Sequence, residues 1–147
     1  MATGSDPRGR VRVGVIGTGA IAQIMHLPYL SELDDRFVVT ALCDVSPGTL
    51  EAVAERYHVP RQACFTDYRE LCTSDLVDAV LICPSGSHVP AAIAALQAGK
   101  HALIEKPLCY HLDEADHFVE VAREARRRSG TVALMAYMKR FDPGYQY

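Results

Sequence analysis

Two glycines in a tight turn are the first residues of this chain whose spacing could bind a phosphate-containing ligand. Gly17-Thr18-Gly19 follows a short run rich in β-branched residues, 11–16, and precedes apolar residues at helical spacing. Gly17 allows a sharp turn, and Gly19 leaves its backbone open to a pyrophosphate. A helix that begins near Ala20 would direct its free N–H groups at that phosphate. The pattern predicts a dinucleotide site, and a glycine turn that binds nothing is the alternative.

A carboxylate at the end of the next apolar run would select the cofactor. Asp44 follows the run 37–43, and an acidic residue at this place accepts hydrogen bonds from the hydroxyls of the adenosine ribose. It would also repel a 2′-phosphate, and no arginine stands at positions 45–47. The sequence therefore favours NAD, with NADP as the second option. The alternative for Asp44 is a helix N-cap or a turn carboxylate.

Strands and helices alternate along the chain and bring these residues to one edge of a sheet. The near-continuous apolar runs 37–43 and 79–83 suit strands that are covered on both faces. The alternation predicts an α/β fold, namely a doubly wound parallel sheet of the Rossmann type. Ligands of such sheets bind beyond the carboxyl ends of the strands. Those ends carry Gly17, Asp44, the loop 84–88 and residues 105–107.

The composition is that of an ordinary globular domain and argues against several classes of function. Of 147 residues, 49% are hydrophobic and 22% are charged, and the net charge of −3 does not suggest binding to nucleic acid or to a membrane. We predict a disordered tail over 1–10 and a dinucleotide-binding domain over 11–147. Five cysteines without a C-x-x-C pair predict reduced thiols in a cytoplasmic protein. The histidines show no metal-ligand spacing, so no metal is predicted.

Two stretches carry a resemblance to a known family. Residues 80–88, Val-Leu-Ile-Cys-Pro-Ser-Gly-Ser-His, and 98–107, Ala-Gly-Lys-His-Ala-Leu-Ile-Glu-Lys-Pro, resemble the Gfo/Idh/MocA oxidoreductases. That family includes glucose–fructose oxidoreductase and inositol dehydrogenase. Its members share a strand that ends in Pro-x-x-x-His, an Ala-Gly-Lys-His turn and a Glu-Lys-Pro motif. The resemblance covers nearly the whole chain, and residues 138–143 resemble the segment that leaves the family's nucleotide domain.

The resemblance implies which residues hold the cofactor. In the glycine turn and the start of its helix, the implied contacts are Gly17, Thr18, Gly19, Ala20 and Ile21. Asp44 is implied to hold the adenosine ribose. Pro84, Ser85 and His88 are implied to border the path from adenosine to nicotinamide. For His88 the alternative is a loop or helix-start residue without contact to the cofactor.

The Glu-Lys-Pro motif is implied to lie at the reacting end of the cofactor. Glu105 and Lys106 then flank the nicotinamide ribose and the reacting carbon, and Lys106 is the candidate catalytic residue. An ammonium beside a carbinol can polarise its oxygen or relay its proton. The alternative for Lys106 is an ordinary surface lysine.

The family's enzymes continue into a second, α+β domain that supplies most of the substrate pocket, and that domain is expected to be absent from these 147 residues. We expect the NAD-binding domain of a dehydrogenase that acts on a sugar, polyol or related hydroxy compound, with little turnover by this chain alone. A non-catalytic dinucleotide-binding or sensor module is the alternative. Exposed apolar residues near the place of the second domain, such as Tyr137, Met138 and Phe141, make self-association an expectation.

Overall fold

The computed structural model of the protein describes residues 6–145, so 1–5, 146 and 147 lie outside the described part of the chain. Half of the predicted disordered tail, residues 1–5, therefore lies outside the described residues. From Asp6 onward the chain makes a turn in which Arg10 Nη2 lies 3.0 Å from Asp6 Oδ1. This turn leads directly into the first strand.

Six strands of the described residues form one sheet in which every neighbouring pair is parallel. They are β1 (Val11–Ile16), β2 (Phe37–Cys43), β3 (Cys64–Phe65), β4 (Ala79–Ile82), β5 (His101–Ile104) and β6 (Ala133–Met135). Their order across the sheet is β3-β2-β1-β4-β5-β6. The strand order reverses between β1 and β4, which is the switch point of a doubly wound sheet. The predicted Rossmann-type fold is confirmed.

Helices connect the strands, in the alternation that the sequence predicts. They are α1 (Leu27–Glu32), α2 (Pro47–Arg56), α3 (Tyr68–Thr73), α4 (Val89–Gln97) and α5 (Leu112–Ser129), with short 3₁₀ turns at Arg61–Ala63, Met138–Phe141 and Pro143–Tyr145. Ser46 caps α2 by accepting the N–H of Thr49, and a proline occupies the first turn. Gly130 ends α5 in a left-handed conformation. Within residues 6–145, the helices are too short or too polar to pass through a bilayer.

A π-helical turn separates the glycine turn from α1. It covers Ala22–His26, and the N–H of Leu27 donates to the carbonyl of Ala22, five residues earlier. Pro28 follows immediately and has no N–H to donate to Ile24, so an uninterrupted α-helix would leave that carbonyl without its partner. The wide turn therefore lies where Pro28 interrupts the α-helical hydrogen-bond pattern.

Right-handed crossovers place α1 and α2 on one face of the sheet and the other three helices on the opposite face. On the three-helix face, a Cβ atom at Gly14 would lie 2.7 Å from the side chain of Leu71 and 2.9 Å from that of Val77. The glycine thus lets α3 approach β1 closely. Ile82 and Ile104 are fully buried on this face.

The two-helix face is covered less completely. An apolar groove of about 360 Å³ lies between α1 and the central strands, lined among others by Tyr29, Leu33, Leu103 and Val132. Beyond it, Leu134 of β6 is 47% exposed. The sheet therefore presents an open apolar strip at the β5 and β6 side.

The last strand covers only Ala133–Met135, whereas the sequence pattern of residues 131–136 predicts a strand over all six positions. Val132 donates its N–H to the imidazole Nδ1 of His101, 3.1 Å away, rather than to a backbone carbonyl. Thr131 shares a hydroxyl hydrogen bond with Ser129. The carbonyl of Val132 still accepts the N–H of Ala102 in β5 at 2.9 Å, but its N–H bonds a side chain, so the regular strand β6 begins at Ala133.

Candidate dinucleotide-binding site

A cleft of about 820 Å³ opens at the carboxyl ends of β1, β2 and β4. This volume is in the range of small-molecule and cofactor sites. It lies at the switch point, where doubly wound sheets bind their ligands. Seven of the residues predicted to contact the cofactor line it: Gly17, Gly19, Ala20, Ile21, Asp44, Pro84 and Ser85.

Gly17 fixes the shape of the turn and could not be another residue. Its φ is +85°, and a Cβ atom there would lie 2.5 Å from the backbone nitrogen of Pro84. The turn is also tied on both sides. Gly17 donates its N–H to the carbonyl of Cys43 at 2.8 Å, and the thiol of Cys83 donates to the carbonyl of Gly17 at 3.1 Å. The ends of β2 and β4 therefore hold the glycine turn between them.

Gly19 provides the open surface that a pyrophosphate needs. A Cβ atom there would meet no heavy atom within 4 Å, and the residue lies on the wall of the cleft. The helical segment begins beside it, at Ala20 and Ile21, and the first N–H groups of any helix lack partners within the helix. Of the residues that line the cleft, only Asp44 carries a charge. Backbone N–H groups rather than basic side chains are therefore the donors available to a phosphate.

Asp44 is oriented by the chain itself. Its Oδ2 accepts the N–H of Thr18 at 2.7 Å and the hydroxyl of Thr18 at 3.0 Å, while its Oδ1 accepts the N–H of Ser46 at 2.9 Å. The alternative role of a turn carboxylate is thus present. A carboxylate has about four acceptor positions, so Oδ1 keeps one that can face the cleft. Thr18 is fully buried, and its predicted contact with the cofactor stays a prediction.

The loop after β4 is tied to two other elements. Ser87 donates its hydroxyl to Glu114 Oε2 of α5 at 2.6 Å and also lines the cleft. His88 is only 4% exposed, and its Nδ1 lies 2.6 Å from the carbonyl of Pro107. His88 therefore joins this loop to the Glu-Lys-Pro turn from behind the cleft wall. Its contact with the cofactor stays a prediction.

The Glu-Lys-Pro turn lies next to the cleft at the end of β5. Glu105 is buried, its Oε1 lies 2.8 Å from His26 Nε2, and its Oε2 accepts the N–H of Lys106 at 3.0 Å. Lys106 itself is exposed. Neither Glu105 nor Lys106 is among the residues that line the cleft. The structure thus places Lys106 beyond the strand end with its backbone held and its side chain in solvent.

Several residues of the cleft are missed by the sequence reasoning. They are Val45, Thr49, Thr66, Tyr68, Pro90 and Ala91, together with Cys43 and Cys83. Ser87 also lines the cleft and belongs to the loop 84–88, which was predicted to lie at this edge. The rule that ligands bind beyond strand ends would have found Thr66, which follows β3 directly, and Tyr68, which begins α3 two residues later. The helix residues lack such a signal, because only the packing of α2 and α4 brings them to the edge.

The thiols in and near the cleft are not nucleophiles at neutral pH. Burial raises the pKa of Cys43 and that of Cys83 to about 12, and it raises the pKa of Cys72 to about 11. All three therefore remain protonated in neutral solution. None of the five cysteines is in a disulfide. Among residues 6–145, no group of three or more His, Cys, Asp or Glu side chains is arranged to hold a metal ion.

Comparison with known proteins yields a family and a set of longer relatives. The GFO_IDH_MocA profile, described as an oxidoreductase family with an NAD-binding Rossmann fold, matches residues 11–132. An inositol 2-dehydrogenase from Paracoccus denitrificans is 37% identical over 136 residues, which are 92% of this chain and 39% of that protein. The chain thus spans about two fifths of the length of the curated relatives it matches.

Solved structures give the same match. The scyllo-inositol dehydrogenase from Lactobacillus casei, with bound NAD(H) and scyllo-inositol, superposes with a TM-score of 0.81 at 25% identity, covering 92% of this chain and 38% of that one. A 3-ketoreductase from Actinomadura kijaniata, in complex with NADP, has a TM-score of 0.77 at 33% identity, covering 91% of this chain and 39% of its own. Both nicotinamide cofactors therefore occur among the structural neighbours.

Proposed function

Because the chain belongs to the GFO_IDH_MocA oxidoreductases, whose Rossmann fold binds NAD, we propose that it is the cofactor-binding domain of a polyol or sugar dehydrogenase. The parent reaction transfers a hydride between nicotinamide and a hydroxyl-bearing carbon. The observation that carries the proposal is the cleft at the switch point, with Gly19 on its wall and Asp44 at its side. Inositols are the first substrates to test.

The residues of the cleft fit a dinucleotide. The open space above Gly19 accepts a pyrophosphate, and the N–H groups at Ala20 and Ile21 donate to it. Asp44 accepts a hydrogen bond from the adenosine ribose with the free position of Oδ1. Pro84 and Ser85, which follow β4, form a further part of the wall. Thr18, His88 and Glu105 support these contacts by holding the turn and the loops in place.

Lys106 is the proposed catalytic residue. Bound nicotinamide supplies the acceptor or donor of the hydride. A carbinol that is oxidised must also release its hydroxyl proton, and Lys106 can polarise the oxygen or take part in the transfer of that proton. Its side chain is exposed at the end of β5, so it is free to reach a substrate beside the cofactor.

NAD is the proposed cofactor. Asp44 is the only charged side chain on the cleft wall of the described residues, and it would repel a 2′-phosphate. Residues 45–47, which follow it, contain no arginine to bind that phosphate. NADP remains the second option, since the 3-ketoreductase neighbour was solved with it.

A polyol or sugar substrate is proposed from the names of the relatives, among them the inositol 2-dehydrogenase and the inositol-bound Lactobacillus casei enzyme. Because this chain spans only 39% of such a relative, substrate positioning would depend on residues it does not contain. Positioning contributes roughly 7–11 kcal/mol to catalysis. We expect the 147 residues alone to bind cofactor with a turnover several orders of magnitude below the usual value of about 1–10³ per second.

The test combines binding and turnover. NADH is titrated into the chain and followed by its fluorescence, and dehydrogenase activity is then assayed over inositols and sugars. Saturable binding with negligible turnover supports the proposal, whereas no NADH binding refutes it. A hybrid of this chain with the remainder of the Paracoccus denitrificans relative distinguishes the alternative, a non-catalytic module. Turnover of the hybrid that is lost in Lys106→Met supports a catalytic domain, and a folded but inactive hybrid favours the module.

The proposal extends to the environment of the chain. Unpaired cysteines support a reducing, cytoplasmic location.

The proposed partner is a second copy of the chain, because Tyr137, Met138 and Phe141 are at least half exposed and follow the open edge strand β6. Sedimentation of wild type and of Phe141→Ser tests this: a dimer that the substitution weakens supports self-association, and a monomer at all concentrations excludes it.

A further inference from the structure

Among the described residues, His26 provides the one side chain that forms a hydrogen bond with the carboxylate of Glu105. The imidazole Nε2 lies 2.8 Å from Glu105 Oε1. We assign the donor role to the ring nitrogen, because a carboxylate oxygen acts as an acceptor. The two residues are 79 positions apart in the chain. The contact therefore joins the helix that follows the glycine turn to the Glu-Lys-Pro turn at the end of β5.

Glu105 is held in a position that needs such a donor. Its side chain is only 7% exposed, and a buried carboxylate is stable only when its oxygens are hydrogen-bonded. One oxygen accepts from His26 and the other accepts the N–H of Lys106 at 3.0 Å. The backbone N–H of Glu105 donates to the carbonyl of Ile82 in β4. The carboxylate thus connects His26 to the backbone of Lys106.

The π-helical turn determines where His26 points. His26 is its last residue, and the turn contains one residue more than an α-helical turn would. Each residue of an α-helix rotates the side-chain direction by about 100°, so a regular helix would carry His26 to a different face. The wide turn is therefore the local feature that brings the imidazole to Glu105. Turns of this kind often occur at functional sites.

The geometry points to His26 as a positioning residue for Lys106. By donating to Glu105 Oε1, it fixes the carboxylate whose second oxygen holds the N–H of Lys106, and so it sets where the lysine leaves the sheet edge. The inference rests on the proposed function, which identifies the position of Lys106 as the nicotinamide end of the cofactor. The pair His26–Glu105 is thus expected to affect binding at the nicotinamide end alone, whereas Asp44 acts at the adenosine end.

The test compares two ligands and two substitutions of His26. NADH spans the whole cofactor site, whereas ADP reaches only its adenosine and diphosphate part. His26→Phe removes the donor and keeps a ring in a position that borders the apolar groove, while His26→Gln keeps an N–H near the place of Nε2. His117→Gln, at an exposed position of α5, is the matched control.

The expected result is a split between the two ligands. His26→Phe weakens NADH binding by about tenfold, the change that about 1.4 kcal/mol produces, and leaves ADP binding within about twofold of wild type. His26→Gln recovers most of the NADH affinity. In Glu105→Gln, the further substitution His26→Phe has little additional effect, because the two residues act through one contact. Equal weakening of both ligands, or no weakening of NADH, overturns the inference.

A second measurement does not depend on cofactor binding or on one variant. Hydrogen exchange of the Lys106 amide reports whether Glu105 Oε2 still holds that N–H. We expect exchange about tenfold faster in His26→Phe, the equivalent of about 1.4 kcal/mol, and near the wild-type rate in His26→Gln and His117→Gln. If His26→Phe does not fold, Glu105→Gln takes its place. An unchanged exchange rate overturns the inference even if NADH binds, and faster exchange supports it even if wild type fails to bind NADH and the proposed function is lost.

Discussion

Replacing Gly19 by valine should abolish cofactor binding without unfolding the protein. A Cβ atom at Gly19 meets no heavy atom within 4 Å, and its φ is not in the left-handed region. The valine side chain would therefore fit the folded chain but project into the cleft, where the pyrophosphate is proposed to lie. The same substitution at Gly17 has a different result, because φ is +85° and Cβ would lie 2.5 Å from the backbone of Pro84.

The size of the effect follows from the donors that the side chain would cover. A hydrogen bond to a charged group contributes about 1.5–3 kcal/mol. If valine prevents two backbone N–H groups from reaching the phosphates, binding loses about 3–6 kcal/mol, which raises the dissociation constant more than 100-fold. Gly17→Ala instead should lower the free energy of unfolding by about 2 kcal/mol or more through backbone strain.

Calorimetric titration with NADH, together with thermal unfolding, measures both effects. Gly48→Val is the matched control, since a Cβ atom there also meets open space and the residue does not line the cleft. We expect wild type and Gly48→Val to bind equally, and Gly19→Val to remain folded but not to bind. Equal binding by Gly19→Val and wild type would refute the assignment of the pyrophosphate to this turn.

Three further predictions concern cofactor choice, pH and thiols. Asp44→Ser combined with Val45→Arg should shift the affinity ratio towards NADPH by about tenfold or more, because a repelling charge is replaced by a phosphate partner; a wild type that already prefers NADPH in competition titrations contradicts it. The hydrogen bonds from Arg12 hold the pKa of the Asp78 carboxyl below its usual range. These bonds therefore stabilise the folded protein fully above the unfolded pKa of about 3.9, and this stabilisation is lost as the pH falls through the lower pKa of the folded state. Asp78→Asn should therefore lower the free energy of unfolding by about 1–2 kcal/mol at pH 7 and by less at pH 2–3, as measured by urea unfolding. An equal decrease at both pH values would contradict this prediction. Titration with a thiol reagent, without reductant, should detect five thiols in the denatured chain, and a count of three or fewer would reveal a disulfide. In the folded chain the reagent should react slowly with the buried thiols of Cys43, Cys72 and Cys83.

The sheet and the glycine turn could be predicted from the sequence because their signals are local. Buried strands appear as short apolar runs, helices as residues three and four apart, and Gly17 as a turn that no other residue could make. The parallel order then follows from alternation and handedness. These rules were sufficient to bring Asp44 and the loop after β4 to the same edge of the sheet as the glycine turn.

The internal contacts of the site could not be predicted, because they join residues distant in sequence. The bonds from Thr18 to Asp44 span 26 positions, and the contact of His26 with Glu105 spans 79. Neither periodicity nor spacing encodes them. The sequence also gives no sign that His88 is buried, since histidine is intermediate between the typically buried and the typically exposed residue types. Such contacts depend on the packing of the finished fold.

The central claim is that this cleft binds a nicotinamide dinucleotide, and an NMR titration of the ¹⁵N-labelled chain with NAD⁺ tests it most directly. We expect saturable shifts of the amides of Gly19, Ala20, Ile21 and Val45, and little change at Leu103, which borders the apolar groove. Saturable shifts confined to the groove, or no shifts at the glycine turn with NAD⁺ in large excess, would contradict it.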